Sequence, residues 1–429
     1  MPAFSGPSAP RDSSGTPRTP RPPLHLPLIG TGAARSPLTG EVRQKDRVRP
    51  IYAVWEVTRR CDLACHHCGT RAGHARSDEL DTAECLDLVA QMAELGIKEV
   101  TLIGGEAYLR PDWLSIVAAV RKHGMDCTMT TGGRGITLER AEQAAAAGLQ
   151  SAAVSLDGME GAHDRQRALD GAFRAGVRAL EHFRAAGLLV SVNTQINAWS
   201  WRDLPQLLDV LIEQHAHAWQ LQLTVPMGRA ADRPELLLQP YDLLEVLPLI
   251  ASLHARAEAA GVRIFAGNNV GYFGPHEALL RRYMPEQHRG TCGAGKSVLG
   301  LEANGTVKGC PSLPTAEWAG GSVREHSLRD LWERATPIRY TRDRTLDDLW
   351  GYCRECYYAA ECMGGCTWMA HGLFGKPGNN PYCHHRALEM QRAGWRERVV
   401  MRERAPGTPF DHGVFELIRE PLDQAPSSP

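Results

Sequence analysis

Between Ile51 and Val225, short apolar or β-branched runs alternate with helical patterns, and this alternation limits the fold more than any other feature of the chain. The runs lie at 53–57, 99–103, 127–131, 152–156, 188–196 and 219–225, and helical periodicity occupies 82–95, 111–123, 137–147, 171–186 and 203–215. Strands separated by helices in this way pair in parallel, so the pattern predicts a parallel α/β sheet. Right-handed crossovers curl such a series into a barrel or partial barrel, with ligands at the C-terminal ends of the strands.

Outside that stretch the texture changes. Residues 1–48 are rich in Pro, Ser, Arg and Gly and have too little periodic apolar content to bury, which predicts a disordered leader. The barrel is expected over 49–230, and a helix at 240–260 with the loop Gly267, Asn268 and Asn269 forms a bridging region, 231–289. From 290 to 385 cysteine, glycine and tryptophan replace hydrophobic periodicity, as in a segment organised by metal rather than by an apolar core. Residues 386–429 are expected to form a charged amphipathic helix, about 385–404, and a loose tail.

Charge is balanced, 48 Lys plus Arg against 49 Asp plus Glu, with no basic patch for nucleic acid and no polybasic cluster for anionic lipid. No run approaches the roughly 18 apolar residues of a membrane span, and no charged head precedes an apolar stretch at the N-terminus. The expectation is a cytoplasmic protein whose partners include neither nucleic acid nor membrane. Twelve cysteines are many for a reducing compartment, where clustered thiols bind metal or do redox chemistry.

Cys61, Cys65 and Cys68 read C-x3-C-x2-C in the loop after the first strand, in the string WEVTRRCDLACHHCG. Three thiolates on one short loop suit an iron–sulfur cluster held through three of its irons, which leaves the fourth open to a ligand. A zinc site would need a fourth protein ligand, for which His66 or His67 is at hand; otherwise both read as loop residues. With this spacing the chain resembles the radical S-adenosylmethionine (SAM) superfamily over roughly residues 50–230. The resemblance implies a partial (β/α)6 barrel, here with a small Cys-rich iron–sulfur C-terminal domain. It implies SAM contacts at Gly104, Gly105 and Glu106 after the second strand and at Thr131 after the third. Ser155 and Asp157 follow the fourth strand, Arg167 matches the arginine that pairs with the SAM carboxylate, and Asn193 lies in the fifth. Ala107 stands where relatives often have Pro, and TTGG where they often have Thr-Asn-Gly.

Cys292 and Cys310, followed by Cys353, Cys356, Cys362, Cys366 and Cys383, resemble the seven-cysteine SPASM extension of radical SAM enzymes. That resemblance implies two auxiliary [4Fe-4S] clusters with interleaved ligands, an outer one on Cys353, Cys356, Cys362 and Cys383 and an inner one on Cys292, Cys310 and Cys366. The inner set has no fourth cysteine, so either a non-Cys side chain or backbone supplies the fourth ligand or the iron is open or solvent-bound, the favoured reading. Structural zinc is the plainer alternative. Cys85 and Cys127 read as packing residues.

The implied chemistry is reductive cleavage of SAM to a 5′-deoxyadenosyl radical and oxidative modification of an unactivated C–H position. A peptide substrate is expected, with an electron donor such as flavodoxin or ferredoxin, and a leader peptide would need a separate peptide-recognition protein or direct contact with the barrel. Sulfatase-oxidising relatives carry Asp after the cysteine matching Cys310, whereas this chain has Pro311. The alternatives are work on a tetrapyrrole or other small molecule, and a non-catalytic iron–sulfur or zinc scaffold. No catalytic side chain is singled out. Arg229, after the sixth strand, is a candidate for substrate or SAM contact, and Tyr272, Phe273, Trp368 and Tyr382 read as core aromatics.

Overall fold

The structure is a computed structural model that describes residues 48–284 and 291–424. The expected leader, the tail beyond Gln424 and most of the stretch before Cys292 lie outside the described residues. Six strands follow the predicted alternation: β1 (Tyr52–Glu56), β2 (Glu99–Ile103), β3 (Asp126–Thr131), β4 (Ser151–Ser155), β5 (Leu189–Ile196) and β6 (Ala218–Leu223). Helices α1 (Thr82–Leu95), α2 (Trp113–Lys122), α3 (Leu138–Ala147), α4 (Glu160–Arg167), α5 (Ala172–Ala185) and α6 (Leu204–Glu213) connect them. Local chemistry sets the boundaries: Asp81 and Glu84 form a reciprocal cap that starts α1, and Gly96, at φ 96°, ends it.

Along each strand alternate residues face opposite ways. Ala53, Trp55, Val100, Leu102, Val154, Val192 and Leu221 are fully buried beneath the helices. The intervening positions, Thr101, Thr130, Ser155, Asn193, Gln220 and Gln222, line an interior cavity. The barrel lumen is therefore polar, unlike the branched aliphatic filling of a closed eightfold barrel.

Beyond Leu223 the chain adds α7 (Leu243–Ala259) and a seventh strand, β7 (Arg263–Ala266), which pairs in parallel with β6 and which periodicity missed. The helical stretch Pro234–Ala259 is long and apolar enough to cross a membrane by length and composition, contrary to the sequence expectation, and half of it is buried inside the fold.

The Cys-rich region also holds strands where few were expected. β8 (Val298–Leu301) pairs in parallel with β1, and β9 (Thr306–Lys308) and β10 (Ala319–Ser322) continue antiparallel, giving a sheet ordered β10-β9-β8-β1-β2-β3-β4-β5-β6-β7. The expected boundary near 290 thus lies between segments of one sheet. Among the described residues β7 and β10 do not pair, so the barrel is partial.

The C-terminal expectation needs correction. After α8 (Thr367–Phe374), helix α9 (His384–Arg392) stops before Gly394, which stands at φ 81°. β11 (Trp395–Glu403) and β12 (Val414–Pro421) then form an antiparallel hairpin in place of a helix through 404. The charges that suggested a helical polar face are cross-strand and interlayer partners: Arg396 bonds Glu420 at 2.8 Å, and Glu397 accepts from Arg386 at 2.6 Å. Val399 faces Leu417 and Met401 faces Phe415.

Candidate functional site

The first cysteine loop leaves the C-terminal end of β1 and folds back on itself, with the Cys61 amide donating to the Gly73 carbonyl at 2.9 Å. The Gly104–Gly105–Glu106 turn packs against it: Gly105 N donates to Thr58 O at 2.9 Å and Glu106 N to Arg60 O at 2.8 Å. A Cβ on Gly105 would stand 2.1 Å from the Arg60 carbonyl, and one on Gly104 2.6 Å from the Thr58 carbonyl. These glycines are required first by the approach of two backbones and only then by any ligand.

Each sulfur of the loop has a donor aimed at it. Leu63 N lies 3.4 Å from Cys61 Sγ, Ala72 N 3.4 Å from Cys68 Sγ, and Arg167 Nη1 3.7 Å from Cys65 Sγ. Burial pushes the Cys61 thiol up to about 12 and the Cys65 thiol to about 11. Donors prepared for thiolates, where burial opposes free thiolates, fit a bound cationic metal centre.

The predicted SAM-contact residues divide into two groups. Gly104, Ser155, Arg167 and Asn193 line a cavity of about 430 Å3 that Cys68 also lines. Thr131 and Asp157 instead hold other side chains. The Thr131 hydroxyl donates to the Glu106 carboxylate, which also accepts from Gly132 N at 2.7 Å. Burial lifts the Glu106 carboxyl to about 7 despite these bonds. Asp157, fully buried, accepts from Arg167 Nε at 2.7 Å and from Gln195 N at 2.9 Å. Asp157 thereby fixes the guanidinium whose Nη1 faces Cys65. His67 lines the cavity with Nδ1 accepting from Gln166 at 3.1 Å, while His66 sits edge-on to Trp199.

Arg229 does not project toward a ligand. Its Nη1 donates to Cys65 O at 3.2 Å and its Nη2 to Ala72 O, so it braces the cysteine loop from behind. A second brace had no sequence signal. Arg71 donates to Asp232 Oδ1 at 2.9 Å, to Asp411 Oδ1 at 2.9 Å and to Gly228 O at 2.9 Å. Phe410, at φ 59°, donates its amide to Gly69 O at 2.9 Å and joins the cavity wall. Asp411 lies 340 residues from Arg71, beyond the reach of any local pattern.

The later cysteines fall into two places. The β8–β9 turn, with Gly305 at φ 82°, folds Cys310 back toward Cys292, and Cys366 precedes the first turn of α8. All three line the same cavity as Cys68. Trp368 Nε1 and Thr224 Oγ1, on that wall, are buried without a protein hydrogen-bond partner. Cys353, Cys356, Cys362 and Cys383 line a separate pocket with Arg386 and the stacked rings of Phe273 and Tyr358, whose centroids are 4.3 Å apart. Tyr272 shares that pocket, whereas Tyr382 is buried with its hydroxyl donating to Leu238 O. Every cysteine is free, and Cys85 and Cys127 are packed in the core. Both sulfur-lined spaces suit iron–sulfur clusters by donor type.

The chain matches the radical SAM superfamily over residues 55–211 and an iron–sulfur cluster-binding domain over 292–357. It is 30% identical over 346 residues to the mycofactocin maturase MftC of Mycobacterium ulcerans, covering 78% of this chain and 88% of that protein. It is 29% identical over 363 residues to an AdoMet-dependent heme synthase of Nitratidesulfovibrio vulgaris, covering 78% and 92%. Its fold resembles that of Streptococcus suis SuiB bound to the precursor peptide SuiA, with a TM-score of 0.60, 16% identity and coverage of 75% and 72%.

Proposed function

Because the chain belongs to the radical SAM superfamily and is an enzyme with SAM and [4Fe-4S] clusters as cofactors, we propose that it oxidatively modifies a peptide at an unactivated C–H position. The observation that carries this reading is the single cavity lined both by Cys68 of the barrel loop and by Cys292, Cys310 and Cys366. In it a radical source and an electron acceptor would face the same substrate. On this reading Cys61, Cys65 and Cys68 hold the SAM-binding cluster. Cys292, Cys310 and Cys366 hold an inner auxiliary cluster, and Cys353, Cys356, Cys362 and Cys383 an outer one. Reductive cleavage of bound SAM supplies the 5′-deoxyadenosyl radical.

The chain's residues do the positioning. Arg167, held by Asp157 through Nε and Nη2 and facing Cys65 through Nη1, lines the cavity beside the cysteine loop, and Gly104, Ser155 and Asn193 border it. Gln195, Gln220, Gln222 and Asn268 give the lumen an amide lining, which matches the alternating donors and acceptors of a peptide backbone. The name maturase of the mycobacterial relative supports the same reading. A tetrapyrrole is the second reading, favoured by the heme synthase relative. Its carboxylates would need cations, and Arg167, the one guanidinium on the described cavity wall, is already committed to Asp157. The cytoplasm, a flavodoxin- or ferredoxin-type donor and a separate peptide-recognition protein belong to this proposal.

The test is anaerobic reconstitution, iron and sulfide analysis and a 5′-deoxyadenosine assay, followed by incubation with precursor peptides encoded beside the gene and, in parallel, with haem precursors. Three clusters correspond to about twelve irons, falling to about eight in a Cys61/Cys65/Cys68 to Ala variant that makes no nucleoside. A mass loss of one or more hydrogen pairs in a peptide supports the proposal. Turnover of a haem precursor with no peptide modified replaces it with the second reading.

A further inference from the structure

One acidic side chain on the shared cavity wall has no role in the reading above. Glu56 ends β1, on the same inward-facing alternation as Tyr52 and Val54, and all three line the cavity. It is 2% exposed, no side chain hydrogen-bonds either carboxylate oxygen, and the one donor that reaches it is the Ala303 amide. The charged groups that face it are Glu302, Lys308 and Arg59, with Arg76 behind them. Lys308 Nζ, fully buried, bonds Glu302 at 2.8 Å and Leu313 O at 2.7 Å, and Arg76 Nη1 donates to Glu302 at 3.2 Å. Two of the three nearby cations are thus engaged with Glu302, which leaves Glu56 an undercompensated anion.

Such a carboxylate is costly when ionised and readily takes a proton when negative charge appears near it. Burial, reinforced by the Glu302 charge, already lifts its carboxyl to about 7 against the pull of Lys308, Arg59 and the Ala303 amide. Cys292, Cys310 and Cys366 line the cavity that Glu56 lines.

We infer that Glu56 binds one proton for each electron accepted at the inner cysteine site. The inference rests on reading Cys292, Cys310 and Cys366 as ligands of an auxiliary [4Fe-4S] cluster. During turnover one C–H bond of the substrate breaks and its hydrogen atom goes to the 5′-deoxyadenosyl radical, giving 5′-deoxyadenosine. As the new bond forms, the substrate radical loses one electron, which reduces the auxiliary cluster by one, and one proton, which forms an O–H bond on Glu56. Two electrons and two protons leave the substrate in total. Protonation of Glu56 offsets the negative charge that the electron brings into a low-dielectric cavity.

The test is a redox titration of the anaerobically reconstituted full chain, followed by electron paramagnetic resonance from about pH 6 to about pH 9. The signal that disappears in Cys366→Ala identifies the inner cluster. Its midpoint potential is expected to fall by up to about 59 mV per pH unit, since each tenfold change in proton activity costs that much per electron. The dependence flattens at low pH, where Glu56 is protonated in both redox states. Glu56→Gln keeps the signal and abolishes the slope, while Glu56→Asp retains a slope. A wild-type potential independent of pH, or a slope that survives in Glu56→Gln, overturns the inference and leaves the cluster reading standing. If no signal disappears in Cys366→Ala, the cluster reading fails and the inference with it. Should Glu56→Gln not assemble, the reduction-induced infrared difference spectrum of the wild type decides: gain of a carboxylic-acid carbonyl band supports the inference, and its absence overturns it.

Discussion

The barrel loop and the segment from Cys353 to Cys383 place their thiols by different means. The loop is held by backbone: Gly105 and Glu106 donate to its carbonyls, Arg229 braces it from behind, and Arg71 ties it to Asp232 and Asp411. In the outer segment Cys353, Cys356 and Cys362 sit in or beside one-turn helices, Tyr352–Glu355 and Ala359–Cys362, while Cys383 stands at the start of α9. Its anchor is the buried ion pair between Arg386 and Glu397 of the hairpin. A geometry set by hydrogen bonds from distant elements persists without metal; one built of isolated turns depends on whatever binds the sulfurs.

Arg386→Ala is the largest perturbation of that contrast. It leaves Glu397 buried with only the more distant Arg419, at 3.8 Å, and is expected to cost about 3–5 kcal/mol. Hydrogen exchange should accelerate in β11, β12 and α9 while SAM cleavage persists. Equal loss of protection in β1–β6 would show that the two regions do not unfold separately. Gly105→Ala attacks the other side. Its Cβ meets backbone rather than a movable side chain, and a cost of roughly 1–3 kcal/mol is expected. Nucleoside formation should drop while iron at the C-terminal sites is retained, as metal analysis of the purified variant would show.

What the sequence conveyed and what it did not divide along the same line. The run at 99–103 is a strand of those bounds because apolar alternation is a local property, and α1 begins where Asp81 and Glu84 cap it. Ligand spacing in C-x3-C-x2-C is local too. β7 to β10 are three or four residues long, and β10 reads Ala-Gly-Gly-Ser, so no periodicity could announce them. The segment after Gly394 misled because several of its charges are paired with residues 11 to 24 positions away, in α9 or across the hairpin. Thr131 and Asp157 lie at strand ends as expected, but only coordinates show that they serve Glu106 and Arg167. Glu56 has no sequence signal at all, since what sets it apart is burial on the cavity wall without a side-chain hydrogen-bond partner.

The smallest expected effect concerns the contact between α1 and the Cys-rich region. Arg324 makes a two-point bond to Glu84 at 2.6 and 2.7 Å, which, with the Asp81 amide, holds the Glu84 carboxyl down to about 2. A carboxyl lowered in the folded state adds stability above its ordinary value and loses it as pH falls toward about 2. The pair is exposed and screened, so Glu84→Gln should cost under about 1 kcal/mol at neutral pH. The difference from wild type in urea midpoint should shrink below about pH 4, and a constant difference would assign the effect to packing instead.

The Arg71 clasp has a consequence for the order of biosynthesis. Its two carboxylate partners are made 161 and 340 residues later than the arginine itself. At ordinary elongation rates of about 5–20 residues per second, the interval before Asp411 is added is on the order of 20 to 70 s. Throughout it the barrel loop can have no more than the Asp232 half of its clasp. A chain that stops short of the C-terminal hairpin would carry all three cysteines of the barrel loop and still lack one of the ties that fasten them.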